Sequence, residues 1–230
     1  MTYPAHLDLR CYVVTGSGTD DDIAATAASA AAGGAGVIQV RSKPIAAARL
    51  LGLAEKVALA VAEANPDAKT LIDDRVDIAA ILMRRGIPIH GVHVGKEDIP
   101  VDAVRELLGP AAIIGLTTGT ADLIRQANAH ADILDYVGAG PFRPTPTKDS
   151  GRKPIGLDGY LQLVELSQLP IVAIGDVQPA DVRELAGTGI AGVAMVRAFS
   201  EAHKTGTVAE VAQKVLTDFA AGARTVGVRA

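Results

Sequence analysis

The sequence predicts a single-domain (β/α)₈ TIM barrel spanning all 230 residues. Three observations lead there. Short β-branched runs alternate with longer Ala-, Leu-, Glu- and Arg-rich stretches, the pattern of a parallel sheet with helical crossovers. Eight such units fill the length with no linker or low-complexity tract between them. Hydrophobic residues make up 49% of the chain but aromatics only 3%, with no Trp, which suits parallel strands covered on both faces by aliphatic side chains.

The first strand is expected at Leu9–Val14, where Cys11 reads as a small buried hydrophobe. It is the only cysteine, so an intrachain disulfide and a cysteine metal cluster are excluded. The apolar stretch Ile23–Ile38, interrupted by Gly33, Gly34 and Gly36, leads into the second strand, Val37–Val40. Helical Ile45–Ala64 precedes the third strand, Thr70–Ile72, and helical Val76–Arg85 precedes the fourth, Gly91–Val94. The fifth strand, Ala112–Leu116, is followed by helical Thr120–His130 and the sixth, Tyr136–Gly138. The seventh, Ile171–Ile174, and the eighth, Gly192–Val196, flank helical Pro179–Leu185. A last helix near Val208–Ala221 and a frayed tail, Gly222–Ala230, end the chain.

A net charge of −4 and few aromatic rings argue against a nucleic-acid platform. Met1–Arg10 lacks an apolar signal-peptide core, and no run of about 18 uncharged apolar residues is present. The expected address is the cytoplasm, and the expected partners are small molecules rather than membranes or nucleic acids. The oligomeric state is not legible, and a homo-oligomer is compatible with everything above.

In this fold, polar residues just after a strand sit at the catalytic mouth. After the second strand, alternation turns Gln39, Arg41 and Lys43 the same way, and two cations beside an amide suit an anionic ligand. Asp74 and Asp98 follow adjacent strands and suit one Mg²⁺, since that ion is commonly held by one or two carboxylates plus phosphate oxygens. Helix capping is the competing explanation, because both precede helices. His93 reads as a hydrogen-bonded wall residue, and Tyr136 and Phe142 as packing. The loop after the sixth strand carries Thr145, Thr147 and Lys148 between prolines, suitable donors to diphosphate oxygens from a lid. After the seventh and eighth strands, Gly175 fits a phosphate-binding turn. Asp176 would repel phosphate unless Arg197 neutralises it or binds the phosphate directly.

Five elements in order carry a resemblance: Ile38–Lys43, Asp73-Asp74-Arg75, Gly91–Asp98, Gly115-Leu116-Thr117-Thr118 and Tyr136–Lys148. They correspond to I-Q-x-R-x-K, N-D-R, G-V-H-L-G-Q-x-D, G-L-S-T and Y-V-G-x-G-P-x-x-x-T-x-T-K. From about Tyr12 to Ala198 the chain resembles the thiamine-phosphate synthase family. The resemblance implies coupling of a pyrimidine diphosphate to a thiazole phosphate with release of pyrophosphate, the pyrimidine C–O bond ionising before the thiazole nitrogen attacks. It implies Mg²⁺ on Asp74 and Asp98, and Arg41, Lys43 and Lys148 as the catalytic cations on the departing pyrophosphate. It places Gln39, Asp73, Lys96, Thr117, Thr145, Thr147, Gly175, Asp176 and Arg197 against the substrates. No protein nucleophile is required.

Departures from the family pattern are Asp73 for Asn, Lys96 for Gln, Thr117 for Ser, Asp176 for Gly and Arg197 for Ser. The expectation is an intact pyrophosphate half and an altered acceptor half, taking either unphosphorylated thiazole or a phosphate rescued by Arg197. A non-catalytic regulatory barrel is the other reading, and the retained Gln39, Arg41, Lys43, Asp74, Asp98, Thr147 and Lys148 argue against it. An isomerase or aldolase barrel would want a paired acid and base or a Schiff-base lysine on an interior strand, which the sequence does not offer.

Overall fold

Successive side chains along a strand face opposite sides of the sheet, and here both sides are dry. The inward set includes Tyr12, Val14, Val37, Leu71, Ile113, Tyr136, Val172 and Ala194; the outward set includes Val13, Ile38, Val40, Ile72, Val92, Ile114, Val137 and Val193. A sheet apolar on both faces is stable only when its outer face is covered and its inner face closes on itself. A computed structural model, describing residues 7–144 and 153–226, has that architecture.

Strands β1 (Cys11–Val14), β2 (Val37–Val40), β3 (Lys69–Asp73), β4 (Gly91–Val94), β5 (Ile113–Thr118), β6 (Tyr136–Ala139), β7 (Ile171–Ala173) and β8 (Gly192–Met195) form a closed parallel barrel in chain order. β8 pairs back onto β1, Tyr12 opposite Ala194. The covering helices are α1 (Asp20–Ala32), α2 (Ala47–Ala64), α3 (Val76–Arg84), α4 (Val101–Leu108), α5 (Ala121–Asn128), α6 (Gly156–Leu166), α7 (Val182–Ala186), α8 (Arg197–Thr205) and α9 (Val208–Val226). The first of them starts at a capping box: the Thr19 hydroxyl accepts from Asp22 N–H while the Asp22 carboxylate accepts from Thr19 N–H. Among the described residues no helix is long and apolar enough to cross a membrane.

The differences from expectation are local. β1 begins two residues late, and β5 runs on to Thr118, which brings Thr117 into register with Gly138. The stretch Pro179–Leu185 divides into a 3₁₀ turn, Pro179–Asp181, and α7. The helix α8 was not anticipated. Residues 222–226, read from the sequence as part of a frayed tail, continue α9 in the structure. Ala212, Val215, Phe219 and Gly222 recur at helical spacing and are all buried, so the apolar stripe that holds α9 extends through Gly222.

Candidate active site

The inward-facing parity that packs the barrel also selects what stands at its mouth. Gln39 on β2, Asp73 on β3, His93 on β4 and Thr117 on β5 share that parity, with Asp73 opposite His93 in the ladder. Gln39 and Asp73 are buried. A Gln39 amide hydrogen goes to Asp73 Oδ1 at 2.6 Å, and Gln39 Oε1 accepts from the Tyr12 hydroxyl at 2.8 Å. The Tyr12 and Tyr136 hydroxyls meet at 2.7 Å, Tyr136 lies 2.9 Å from His93 Nδ1, and His93 Nε2 lies 2.9 Å from Thr117 Oγ1. Burial drives both phenol pKa values upward, so the tyrosines stay neutral. Tyr136 fits because residue 115 is glycine: a β-carbon there would lie 2.2 Å from the Tyr136 ring. His93 is thus a hydrogen-bonded wall residue as expected, whereas Tyr136 does more than pack. Tyr12 was not singled out from the sequence, although its inward parity on β1 is readable there.

The cations gather at the β2–β3 edge. Arg41 Nε and Lys43 Nζ lie 3.4 and 3.2 Å from Asp73 Oδ2, a buried oxygen that receives no geometrically formed hydrogen bond. Both contacts are ion pairs without hydrogen-bond geometry. Lys43 also pairs with Asp74. Arg41 is set in place by its backbone: Arg41 N–H donates to Thr15 Oγ1 at 2.8 Å, and that hydroxyl donates back to Arg41 C=O at 2.9 Å.

Neither carboxylate assigned to the metal caps a helix. The residues preceding α3 and α4 are Arg75 and Pro100, without side-chain caps. Asp74 sits in the left-handed region, φ 58°, a conformation that concentrates at functional sites. Asp98 Oδ2 accepts from Gly95 N–H at 2.7 Å, shaping the loop after β4. Among the described residues no three His, Cys, Asp or Glu side chains converge as a metal cage. Lys96 points outward to Glu97 at 3.2 Å and does not line the cavity. Thr145, Thr147 and Lys148 lie outside the described residues.

At the β7–β8 edge Gly175 has φ 104°, and a β-carbon on it would come within 2.5 Å of Pro141 Cα, so glycine is required. Asp176 follows with φ 57°. Its Oδ1 accepts from Gln178 Nε2 at 2.9 Å and pairs with Arg197. Beside it Arg143 lies over the Phe142 ring and binds Asp181 at 2.6 Å, two polar partners that sequence reasoning missed because they lie 38 residues apart. One cavity joins both edges, with Gln39, Arg41, Asp73 and Thr117 towards one end and Asp176 and Arg197 towards the other. Val14, Val172, Ile174 and Ala194 give it an apolar lining between them. Such a cavity suits an extended ligand pair that is anionic at both ends and aromatic or apolar in the middle.

Comparison with known proteins agrees with this architecture. The thiamine monophosphate synthase family model matches residues 11–199. The thiamine-phosphate synthase of Corynebacterium efficiens is 58% identical over 216 residues, covering 94% of this chain and 97% of the relative. That of Corynebacterium jeikeium is 58% identical over 208 residues, covering 90% and 94%. The solved thiamine phosphate pyrophosphorylase from Pyrococcus furiosus superposes with a TM-score of 0.75 at 27% identity, covering 93% of this chain and 96% of that one. The chain belongs to the thiamine monophosphate synthase family of enzymes.

Proposed function

We propose that the protein joins hydroxymethylpyrimidine diphosphate to thiazole phosphate, giving thiamine phosphate and pyrophosphate. The observation that carries the reading is the two-ended cavity, lined by Arg41 at one end and Arg197 at the other, with Lys43 paired to the Asp73 oxygen that Arg41 also attends, in a chain 58% identical to proteins named thiamine-phosphate synthase. The pyrimidine C–O bond breaks with its electron pair leaving on the diphosphate, and the thiazole nitrogen lone pair then forms the C–N bond. Arg41 and Lys43 face the leaving group, where a guanidinium fork and an ammonium stabilise the charge that develops. Lys148, Thr145 and Thr147 are assigned the same role from the loop. Gln39 orients the pyrimidine.

Asp74 and Asp98 would hold Mg²⁺. The donor set fits: two hard carboxylates from neighbouring loops, each with one oxygen engaged by Lys43 or Gly95 N–H, and the remaining positions open to diphosphate oxygens and water. When bound, the ion supplies charge that stabilises the departing pyrophosphate.

A second reading is favoured by one contact. Because Asp176 holds Arg197 at the acceptor end, the acceptor in this reading is thiazole without its phosphate. The test is incubation with Mg²⁺, hydroxymethylpyrimidine diphosphate and either thiazole phosphate or thiazole, with thiamine products oxidised to fluorescent thiochromes. Product from thiazole phosphate, abolished by EDTA and by Asp98→Ala, is the expected result. Product only from thiazole selects the second reading, and no product from folded protein refutes both.

A further inference from the structure

We propose that the side chains across the barrel mouth form a hydrogen-bond chain of one fixed direction, which places a hydrogen on His93 Nδ1 and makes Tyr12 and Tyr136 positioning residues for Gln39. The direction follows from counting hydrogens. Asp73 meets Gln39 at 2.6 Å through a carboxylate oxygen, and Arg41 and Lys43 attend the other oxygen. A carboxylate only accepts, so the Gln39 amide must turn its NH₂ towards Asp73 and its oxygen towards Tyr12. Tyr12 has one hydroxyl hydrogen and spends it on Gln39 Oε1. At its 2.7 Å contact with Tyr136 it can therefore only accept, which consumes the hydrogen of Tyr136. The nitrogen 2.9 Å from Tyr136, His93 Nδ1, must then be the donor. In the neutral ring Nε2 then carries the lone pair and takes the hydroxyl hydrogen of Thr117.

The consequence lies at the ligand. Gln39 keeps one amide hydrogen and one oxygen lone pair beyond those the chain uses, in an order that cannot reverse while Asp73 and Tyr12 hold it. An amide fixed this way reads a ring nitrogen beside an exocyclic amine and rejects the reversed edge. This kinetic half of the inference rests on the pyrimidine reading above; the tautomer does not.

The test is a long-range ¹H–¹⁵N correlation spectrum of the histidine rings in ligand-free, uniformly ¹⁵N-labelled wild-type protein at neutral pH. His93 is assigned by its loss in His93→Gln or, should that variant not fold, by substituting His6, His90, His130 and His203 in turn. The same spectrum holds an opposite reference. His90 Nδ1 accepts from Thr70 N–H at 3.1 Å and therefore carries its hydrogen on Nε2, and burial and the Lys69 charge lower its pKa. Expected is an Nδ1–H tautomer for His93 against Nε2–H for His90. A His93 ring without a hydrogen on Nδ1 overturns the proposal. Tyr12→Phe cuts the chain, so His93 should become a mixture of tautomers, with KM for the pyrimidine diphosphate raised up to about tenfold and more than kcat falls. An unchanged tautomer in that variant also overturns the proposal. Wild type with the expected tautomer but no activity would sink the assigned reaction and leave the chain standing.

Discussion

Asp176→Gly separates the two accounts of the acceptor end. On the protein side the changes nearly cancel. Glycine relieves a left-handed backbone that costs an L-residue about 1 kcal/mol, at φ 57° here. It also removes the pairing to Arg197, whose side chain is 46% exposed, a contact worth about 0–1 kcal/mol, together with the Gln178 hydrogen bond. Net stability should stay within about 1 kcal/mol of wild type. On the ligand side there is no cancellation. A phosphate about 4 Å from a carboxylate meets between about 1 kcal/mol of repulsion in bulk water and about 4 kcal/mol near a protein surface. Arg197 offsets part of it, and its exposure favours the lower figure. Removing about 1 kcal/mol lowers KM for thiazole phosphate about fivefold. The assay is thiochrome formation with thiazole phosphate varied at saturating pyrimidine diphosphate, then with the concentrations reversed; KM for the diphosphate, which the proposed reading assigns to the opposite end, should stay within about twofold of wild type. Arg197→Ala in wild type should raise KM for thiazole phosphate if the freed guanidinium binds it. An unchanged KM for thiazole phosphate in folded Asp176→Gly refutes the claim that this carboxylate opposes the acceptor's phosphate.

Two further outcomes follow from burial. Gly115→Ala would set a methyl 2.2 Å from the Tyr136 ring, and the forced shift should cost about 1–3 kcal/mol, read as a lower midpoint in calorimetric unfolding; an unchanged midpoint would mean the ring is not confined there. Cys11 is fully buried and its thiol is pushed up to about 12 by burial, so a thiol reagent should leave native protein unlabelled and label one site in denaturant, while rapid native labelling would contradict the inward packing of β1.

How much of the site was legible depends on which physical rule placed each residue. Strand parity is fixed by covalent geometry, so Gln39 turned inward as read, and the same rule accounts for Asp73, His93 and Thr117. Tyr12 and Tyr136 obey that parity, yet a buried Tyr reads like a buried Phe until the partner is known, and theirs is each other, 124 positions away in sequence. The helix α8 escaped notice because its buried contacts reduce to Phe199 and Ala202 on a polar segment, too little for a periodic signal. The capping explanation for Asp74 and Asp98 rested on sequence proximity to helices, and the turns place other residues at the cap positions.

Beyond a strand's last ladder bond parity no longer constrains the chain, and there the outcomes divide. β2 ends at Val40 and β4 at Val94, so Arg41, Lys43 and Lys96 are all loop residues. Arg41 nevertheless stays at the mouth because Thr15 binds its backbone in both directions, and Lys43 stays because two carboxylates on the next strand end attract it. Lys96 has only Glu97, its own neighbour, and so turns to solvent. Asp73, one of the departures from the family pattern, thereby acts twice. Its carboxylate draws Arg41 and Lys43 inward through one oxygen and directs Gln39 through the other, so an amide at position 73 would loosen the cationic end and free the hydrogen-bond chain together.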